Sequence, residues 1–486
     1  MPLEDIRNER IKKLNRLHEA GFDSYPAQTA RKQTIAELLK NFLKLARAKK
    51  NLVAAGRIIA KREHGGSVFL DLRDESGKIQ AFFKKDTLGK SYQLFLDAVD
   101  IGDFLEVSGK LFKTKRGEPT IEASKWRMLA KSLRPLPEKW HGLQDVEERF
   151  RRRYLDILMN EEVRGRFIFR SRIIKTVREF FDREGFLEAE TPILHPIPGG
   201  ALARPFKTRH NALDIDLYLR IAPELYLKEL LVGGFEKIYE LGRSFRNEGI
   251  DVTHNPEFTM VEWYAAYWDE NKMMSCVERA VSFFLKKLGL KNQIIFDGKT
   301  INFSKKFPRI KFTDLLKQYA LIADYEKETR DTLVTKAHKL GVEVGPHEPK
   351  GKIADEIYKK ICRPRLIDPV FVIHHPVDIS PLAKKTAVDS STVRRFQLIA
   401  GGLEIVNAFS ELNDPLDQAK RFEEQEKIRQ KGGFESHPPD KDFVEALEYG
   451  MPPAAGAAIG IDRLVMLLTD THNIKEVVLF PTMRPK

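Results

Sequence analysis

The chain has 486 residues, 42% of them hydrophobic, which is enough for two or three globular domains with buried cores. Its 83 Lys and Arg residues against 70 Asp and Glu residues give a formal net charge of +13, which favours a polyanionic partner without identifying one. The N-terminus is charged and the chain has no run of about 18 apolar residues, so neither export nor a membrane location is predicted. The two cysteines lack the spacing of a zinc site or a disulfide framework, as expected in a reducing cytoplasm.

The first part of the chain is predicted to contain helices and then a small barrel. Residues 1–50 are predicted to be a helical region, because apolar residues recur there at helical spacing. Five short runs of alternating hydrophobicity follow in residues 51–132, and we place Gly65, Gly77 and Gly109 in the turns between them. Five such strands predict a β-barrel of the OB type, a fold that binds single-stranded nucleic acid by stacking its bases on aromatic rings.

One strand of this barrel carries an aromatic ring on a polar face. Phe69 shares its strand face with Asp71 and Arg73. A ring among charges is better explained by a stacked base than by core packing, although a partly buried Phe is the common alternative. The barrel therefore predicts a nucleic-acid interface.

The Pro-broken residues 133–149 are predicted to be a linker into a second domain, residues 150–486. This domain opens with a long helical stretch that ends at Gly185, as a C-capping glycine would end it. Strands and helices then alternate irregularly, and residues 270–370 are mostly helical and charged. We expect these residues to be a helical insertion.

One short stretch carries most of the recognisable chemistry. Residues 242–264 read GRSFRNEGIDVTHNPEFTMVEWY, and we predict a strand, a loop and a second strand, with Arg246 and Glu248 on one face. A guanidinium, a neighbouring carboxylate, a His and a flat Phe ring are what a bound nucleoside triphosphate requires. A solvated, salt-bridged hairpin is the alternative, but the companions His254 and Phe258 favour a nucleotide site.

This stretch closely resembles motif 2 of the class II aminoacyl-tRNA synthetases, and FRNEG followed by HNPEFT resembles the lysyl branch of that family. GFLEAETPIL (185–194) resembles motif 1, the dimer-forming segment, and GAAIGIDRLVML (456–467) resembles motif 3. RIAPELYLK (220–228) and LEIVNAFSELNDP (403–415) resemble the substrate-binding strands. The resemblance therefore runs from about the first helix to the C-terminus.

The resemblance implies a fold and an activity. The fold is an α+β multidomain protein, in which an N-terminal OB-type barrel binds the tRNA anticodon and a class II catalytic domain has an antiparallel sheet flanked by helices. The activity is that of a lysyl enzyme, which activates L-lysine with ATP to lysyl-adenylate and passes the lysyl group to the 3′ end of tRNA(Lys). The resemblance also implies a homodimer and a requirement for Mg²⁺.

The resemblance further implies roles for individual residues. Arg246 and Arg463 would be catalytic, with Arg246 clamping the α-phosphate and Arg463 stacking with Phe258 on the adenine ring. The implied ATP-binding set is Arg246, Glu248, His254, Asn255, Phe258, Glu404 and Arg463. The implied anticodon set is Arg62, Phe69 and Gln80, and the implied magnesium set is Glu404 and Gln397.

The amino-acid pocket can be argued from the residues themselves. Asn407, Phe409 and Glu411 alternate along one face of a predicted strand, and Glu262 and Tyr264 share a face of another. A buried ammonium must be paired with a carboxylate, so this acidic set favours lysine over the aspartate or asparagine of related synthetases. The resemblance implies the lysine-binding set Gly200, Glu224, Arg246, Glu262, Tyr264, Asn407, Phe409 and Glu411.

The two implied magnesium residues raise separate questions. Glu404 has the opposite strand parity to Glu411, so either a β-bulge intervenes or Glu404 faces elsewhere. Gln397 stands where many lysyl enzymes carry Glu, and a neutral amide can offer a carbonyl oxygen to a hard cation but no charge. We expect Mg²⁺ to bridge the ATP phosphates through Glu404, with a weaker or missing additional metal near Gln397.

Two other functions fit parts of the sequence. A paralogue that lysylates a protein would resemble the catalytic domain alone, so the barrel at residues 51–132 argues against it. An inactive nucleic-acid-binding regulator on the same fold would not need Arg246, Glu248, Phe258, Glu411 and Arg463 together. Both alternatives are separated from a synthetase by an assay of lysine-dependent ATP–pyrophosphate exchange.

Overall fold

The computed structural model describes residues 2–137, 143, 145–388, 390–430 and 439–485. The chain divides into two compact units, residues 1–144 and 145–486. The predicted linker, residues 133–149, falls in part on residues 138–142 and 144, which lie outside the described residues. The domain boundaries drawn from the sequence stay predictions.

The first unit contains a closed five-stranded β-barrel. Its strands are β1 (Leu52–His64), β2 (Ser67–Arg73), β3 (Lys78–Lys84), β4 (Phe104–Lys113) and β5 (Pro119–Ala130). They pair in the order β1-β2-β3-β5-β4, with only β3 and β5 parallel. Its helices are α1 (Leu3–Glu19), α2 (Ile35–Lys40), α3 (Phe42–Ala48), α4 (Lys85–Leu88) and α5 (Ser91–Ala98). The predicted barrel is confirmed, and α1 to α3 occupy the region predicted to be helical.

The barrel core follows from the alternation of side chains along each strand. Val68, Leu70 and Leu72 of β2 are buried, whereas Phe69 and Asp71 lie on the outer face and are partly exposed. The inward residues form one continuous apolar cluster with those of the other four strands. The outward ring predicted from the sequence is therefore on the surface of the barrel.

Gly109 does not lie in a turn, as the sequence analysis placed it, but within β4. The pairing of β4 with β5 shifts register between Ser108 and Gly109. A Cβ atom at Gly109 would meet the carbonyl oxygen of Glu122 at 2.0 Å, so only glycine permits this close approach of the two strands.

The second unit contains thirteen strands in its described part. They are β6 (Leu187–Glu188), β7 (Leu194–His195), β8 (Lys207–His210), β9 (Ile215–Leu219), β10 (Lys237–Phe245), β11 (Glu257–Ala266), β12 (Gln293–Phe296), β13 (Lys299–Asn302), β14 (Arg309–Lys311), β15 (Val370–Ile373), β16 (Arg395–Ala400), β17 (Leu403–Ser410) and β18 (Ala454–Gly460). Eight of them form one sheet in the order β14-β15-β16-β17-β18-β11-β10-β6. Only the edge pairs β14–β15 and β10–β6 are parallel, so the sheet is antiparallel through its centre, as expected.

Helices flank this sheet. They are α6 (Val146–Arg151), α7 (Arg153–Met159), α8 (Glu161–Arg183), α9 (Glu224–Val232), α10 (Glu270–Leu288), α11 (Phe312–Ala320), α12 (Arg330–Lys339), α13 (Lys350–Ile357), α14 (Pro415–Gln430), α15 (Lys441–Glu448) and α16 (Ile461–Leu468). The single helical stretch predicted at the start of this unit is three helices, α6 to α8. Its predicted end is correct, because Gly185 follows α8 with a φ of +76° and closes the helix end.

The residues between 270 and 370 are not helical throughout. Helix α10 packs into the main core against α8, and the short strands β12 to β14 accompany α11 to α13. Helices α11 to α13 form a separate apolar core of their own. A π-helical turn, Tyr358–Cys362, continues α13.

Alternate residues of the central strands enter two different environments. Val261 and Trp263 of β11 are fully buried in the core shared with α8 and α10. Glu262 and Tyr264 point to the opposite face of the sheet. This face carries the candidate site. Within the described ranges, no helix combines the length and the apolarity needed to cross a membrane.

Candidate active site

A pocket of about 340 Å³ opens on this face of the sheet. Its walls come from the β10–β11 loop, strands β16, β17 and β18, the start of α9 and the segment around α13. Of the residues predicted for ATP, magnesium and lysine, the pocket is lined by Gly200, Glu224, Arg246, Glu248, His254, Asn255, Phe258, Gln397, Glu404, Asn407, Phe409 and Arg463. The structure thus brings residues from distant parts of the sequence to one cavity.

Arg246 lies one residue beyond the end of β10, so it belongs to the loop rather than to the strand predicted for it. Its backbone N–H donates to the carbonyl of Pro256 at 2.8 Å, which extends the strand pairing by one residue. Its guanidinium carbon lies 5.0 Å from the centre of the Phe258 ring, in cation–π contact. Burial lowers the pKa of Arg246, and no described residue accepts a hydrogen bond from its Nε. An unpaired buried donor of this kind points to an anionic ligand.

The other nucleotide residues surround this guanidinium. His254 is exposed, and its imidazole contacts Arg463 Nη2 at 3.0 Å and Asp251 Oδ2 at 2.8 Å. Glu248 is exposed at the rim of the pocket. Asn255 is buried, and its amide donates to the carbonyl of Glu257 at 2.6 Å, so it shapes the loop as well as lining the pocket.

Glu404 reaches the same pocket as Asn407 because β17 contains an irregularity. The pairing of β16 with β17 runs from Leu398 opposite Val406 to Ile399 opposite Glu404, which skips Ile405. This register shift is a β-bulge, which turns Glu404 onto the face of Asn407. The bulge was one of the two possibilities left open by the sequence.

Gln397 holds Glu404 rather than turning its carbonyl into the pocket. The Nε2 atom of Gln397 donates to Glu404 Oε2 at 2.7 Å, and its Oε1 atom accepts from the Tyr358 hydroxyl at 3.2 Å. This orientation of the amide is the chemically required one, because an ionised carboxylate only accepts hydrogen bonds. A role for Gln397 as a metal ligand stays a prediction.

Three buried carboxylates lie at the other end of the site; Glu224 lines the pocket, whereas Glu262, Tyr264 and Glu411 lie behind its wall and do not line it. Glu224, Glu262 and Glu411 are 6%, 4% and 1% exposed. The Tyr264 hydroxyl donates to Glu262 Oε2 at 3.0 Å. Burial and the neighbouring carboxylates raise the pKa of Glu262 and of Glu411 to about 8, and burial raises that of Glu224. The ionised forms of these carboxylates are therefore disfavoured, and a cationic ligand would favour them.

Two glycines leave room for these groups. A Cβ atom at Gly456 would come within 2.3 Å of Glu411 Oε1 and of the Tyr264 ring. Gly200 has a φ of +85°, and a Cβ atom there would lie 2.8 Å from the Cβ atom of Glu224. Both positions require glycine for the acidic end of the site to form.

Several site residues were missed by the sequence analysis. Lys228 is fully buried, with its Nζ atom 2.6 Å from Glu224 Oε1 and 2.5 Å from Glu411 Oε2. Arg395 donates to Asn407 Oδ1 at 2.9 Å and lines the pocket. Lys352, Asp355 and Lys359 line it from the segment around α13. The only sequence signal was the spacing of Glu224 and Lys228, which puts them on one face of a helix.

The barrel of the first unit carries a second candidate site. Arg62, Phe69 and Gln80 all lie on its outer face, where Arg62 Nη2 pairs with Asp71 Oδ1 at 2.8 Å. The ring of Phe69 stacks on that of Phe82 with 4.4 Å between centroids, and Phe112 lies beside Phe82 at 6.2 Å. These two further rings were not predicted from the sequence. An aromatic row with cationic neighbours is suited to stacking bases.

Comparison with known proteins places these two sites in a family. Residues 52–129 match the OB-fold nucleic acid binding domain of the tRNA anticodon-binding family, and residues 145–484 match the tRNA synthetases class II (D, K and N). The lysine–tRNA ligase of Carboxydothermus hydrogenoformans is 50% identical over 485 residues, covering 100% of this chain and 99% of that protein. The lysine–tRNA ligase of Moorella thermoacetica is 47% identical over 483 residues, covering 99% and 98%. The chain therefore belongs to the class II aminoacyl-tRNA synthetases, in the group of the aspartyl, lysyl and asparaginyl enzymes.

Proposed function

We propose that this protein is a lysine–tRNA ligase, which activates L-lysine with ATP to lysyl-adenylate and transfers the lysyl group to the 3′ end of tRNA(Lys). The observation that carries this proposal is the buried acidic end of the site. The relatives at 45–50% identity over the whole chain carry the same name. The family shows the class of reaction, and the acidic end supports the choice of amino acid.

The charges of the site match those of lysine. Glu224, Glu262 and Glu411 carry three negative charges when ionised, and Lys228 offsets one of them. The two that remain match the two ammonium groups of lysine, and the Arg246 guanidinium matches its carboxylate. Aspartate or asparagine brings only one ammonium group and would leave a buried carboxylate without a partner.

In the proposed reaction, the lysine carboxylate attacks the α-phosphorus of ATP in line, and pyrophosphate leaves. Arg246 would hold the α-phosphate and the substrate carboxylate together. Phosphoryl chemistry of this kind needs charge neutralisation and alignment more than a protein nucleophile. His254 would contact the outer phosphates and Glu248 would accept from the adenine amino group. Phe258 and Arg463 would enclose the adenine ring. The 3′-terminal hydroxyl of the tRNA then attacks the lysyl carbonyl, and AMP leaves.

The pocket fits a magnesium ion that is shared with the nucleotide. Among the described residues, no cluster of three or more His, Cys, Asp or Glu side chains could hold a metal ion by itself. Glu404 is a half-buried carboxylate on the pocket wall, and Mg²⁺ commonly binds one or two carboxylates together with substrate phosphates and waters. Bound there, Mg²⁺ would neutralise phosphate charge. We propose Glu404 as its protein ligand.

The amino-acid specificity is tested by ATP–pyrophosphate exchange with each of the twenty amino acids in turn. Lysine should support exchange and the other nineteen should not. Exchange supported by aspartate or asparagine, but not by lysine, would overturn the proposed function. No exchange with any amino acid would favour the inactive regulator instead.

The Gln397→Glu variant should need less Mg²⁺ than the parent. In the parent the amide supplies no charge and is hydrogen-bonded to Glu404 and Tyr358. A second carboxylate would repel Glu404 and would favour a cation between the two. The measurement is the Mg²⁺ concentration that gives half-maximal exchange, and an unchanged value would show that this position does not tune metal binding.

The Phe69→Ala variant should charge tRNA(Lys) more weakly while its lysine-dependent exchange stays intact. The barrel belongs to the first unit, whereas the adenylation residues belong to the second. Loss of one stacked ring should weaken tRNA binding by about 1–3 kcal/mol. Phe69→Tyr keeps the ring and should charge normally. An equal loss in charging and in exchange would instead mean that Phe69 supports the fold.

We also propose that the protein is a homodimer through residues 185–194. Leu187, Ile193 and Leu194 in this segment are each about half exposed, and apolar side chains on a surface often mark an interface. The Ile193→Asp variant should therefore sediment as a monomer, whereas the parent should sediment as a dimer. A parent that is active and monomeric at its working concentration would contradict the proposal.

A cytoplasmic location is proposed on the state of the two cysteines. Cys276 and Cys362 are free, buried thiols. Burial raises the pKa of each to about 12, which keeps them protonated and unreactive. Such thiols are compatible with a reducing compartment.

A further inference from the structure

Lys228 is an internal cation at the acidic end of the site. Its side chain has no exposed surface, and its Nζ atom contacts Glu224 and Glu411 at 2.6 and 2.5 Å. The same atom lies 5.3 Å from the centre of the Phe409 ring. Burying an ammonium is costly unless it is paired, so a lysine in this place needs these carboxylates as much as they need it.

The contacts of Glu411 leave it available for another donor. Lys228 approaches its Oε2 atom at 2.5 Å, and no donor among the described residues reaches its Oε1 atom. Glu262 accepts from the Tyr264 hydroxyl at 3.0 Å. A buried carboxylate oxygen without a donor points to a cationic ligand.

Other charged groups surround this cluster. Glu240, which faces Glu262, forms an ion pair with Arg220. Asp355 forms an ion pair with Lys359 at 2.7 Å. Arg395 faces both Asp355 and Glu224, and Arg246 faces Glu262 from the nucleotide side, where the substrate carboxylate would meet it. Among the described residues, Lys228 is the only cation at ion-pair distance from any of Glu224, Glu262 and Glu411, so at that distance the three carboxylates have one ammonium among them.

We propose that Lys228 is a positioning residue that sets the charge of the amino-acid pocket, so that the pocket accepts a substrate with two ammonium groups. The proposal rests on the proposed function and deepens it. Lys228 does not touch the reacting atoms. It holds Glu224 and Glu411 at fixed positions and offsets one of the three negative charges, which leaves one carboxylate charge for the α-ammonium and one for the ε-ammonium of lysine.

Because Lys228 sets this charge balance, it should also influence how the KM for lysine depends on pH. The pKa values of Glu262 and Glu411 are raised to about 8, so ionising both carboxylates costs free energy at pH 7. Lysine binding needs them ionised and releases their protons, so the KM for lysine in the parent should fall as the pH rises through about 8. The complex is then balanced without a proton, and the KM should stay low at higher pH.

The Lys228→Met variant tests this directly, because methionine keeps much of the volume and removes the charge. Removing the Lys228 ammonium should raise the pKa values of the neighbouring carboxylates further. The fall in the KM for lysine should therefore occur at a higher pH than in the parent, and below that pH the variant should have the higher KM. The measurement is the KM for lysine in ATP–pyrophosphate exchange between pH 6.5 and 9, with the KM for ATP measured alongside.

In a Glu411→Gln background, removing the charge of Lys228 should lower the KM for lysine instead of raising it. Glu411→Gln alone leaves two carboxylates and Lys228, a net charge of −1 against two substrate ammonium groups. Adding Lys228→Met restores a net charge of −2, so the double variant should have a KM for lysine about tenfold lower than Glu411→Gln alone, a coupling typical of residues in contact. A merely structural Lys228 would make the double variant worse than either single variant, and that result would overturn the proposal. The double variant also keeps the test open if Lys228→Met alone does not fold.

Lys131 offers a matched control in the other unit. It is also a fully buried lysine, with ion pairs to Asp100 and Asp103 at 2.6 and 2.8 Å. Lys131→Met should leave the pH profile of the KM for lysine unchanged. If the KM of Lys228→Met fell at the same pH as that of the parent, the charge-setting role would be contradicted. A parent that shows no lysine-dependent exchange would contradict the proposed function instead, so the two failures are distinguishable.

Discussion

Replacement of Glu411 by Gln should raise the KM for lysine by about 10⁴-fold, the discrimination that is lost when a buried polar partner is removed from a site built around it. Glu411 is 1% exposed and forms an ion pair with Lys228 at 2.5 Å. An amide keeps the shape of the carboxylate but supplies no charge to pair with an ammonium. The KM for ATP should change little, because Glu411 contacts Lys228 at the acidic end of the site and not the residues around Arg246.

The control for this variant is Glu270→Gln, which also neutralises a buried carboxylate. Glu270 pairs with Arg394 at 3.0 Å and accepts from the Ser410 hydroxyl, and neither contact involves the acidic end of the site. Glu270→Gln should lower the melting temperature without changing the KM for lysine. If Glu411→Gln left that KM unchanged, the assignment of Glu411 to the lysine ammonium would be wrong.

The sequence predicted well those features that depend on local patterns. Alternation along β2 gave both the barrel core and the exposed ring of Phe69, and alternation along β11 put Glu262 and Tyr264 on one face. The C-capping glycine Gly185 marked the end of α8 correctly. Each of these features depends on a few neighbouring residues, whose periods and turn preferences are fixed by covalent geometry.

Features that depend on pairing between distant segments could not be predicted in the same way. The bulge that turns Glu404 into the pocket exists only in the register of β16 against β17. Gly109 looked like a turn residue, but it permits close approach of β4 to β5. Arg246 was assigned to a strand that ends one residue earlier, at Phe245. In each case the deciding partner is far away in the sequence.

The charge balance of the site was also hidden from the sequence. Glu224 and Lys228 are four residues apart, and such a pair on a helix is usually an exposed salt bridge of small effect. In the structure, the third partner Glu411 comes from the end of β17 and makes the pair a buried triad. Burial gives this ion pair a large effect, because a charge that is removed from solvent must be matched by another charge.

The Arg246→Ala variant should lower kcat for lysine activation by about 10³-fold, the upper range for loss of one preorganised group at a developing charge. The guanidinium lies over Phe258 with its Nε unpaired, so it is already placed to donate to a phosphate oxygen before ATP arrives. Arg246→Lys keeps the charge but loses the planar fork that binds two oxygens at once, and it should recover only part of the rate.

The matched control for Arg246 is Arg243→Ala on the same strand–loop segment. Arg243 is exposed, pairs with Glu257 and does not line the pocket, so its loss should leave kcat unchanged. Exchange rates and ATP binding by calorimetry should be measured on folded protein, with the melting temperature as a check that Phe258 stays packed. If Arg246→Ala bound ATP and activated lysine at the parental rate, Arg246 would not hold the α-phosphate. If ATP binding weakened while kcat at saturating ATP stayed unchanged, Arg246 would bind ATP equally in the ground state and the transition state. Arg246 would then not speed the chemical step.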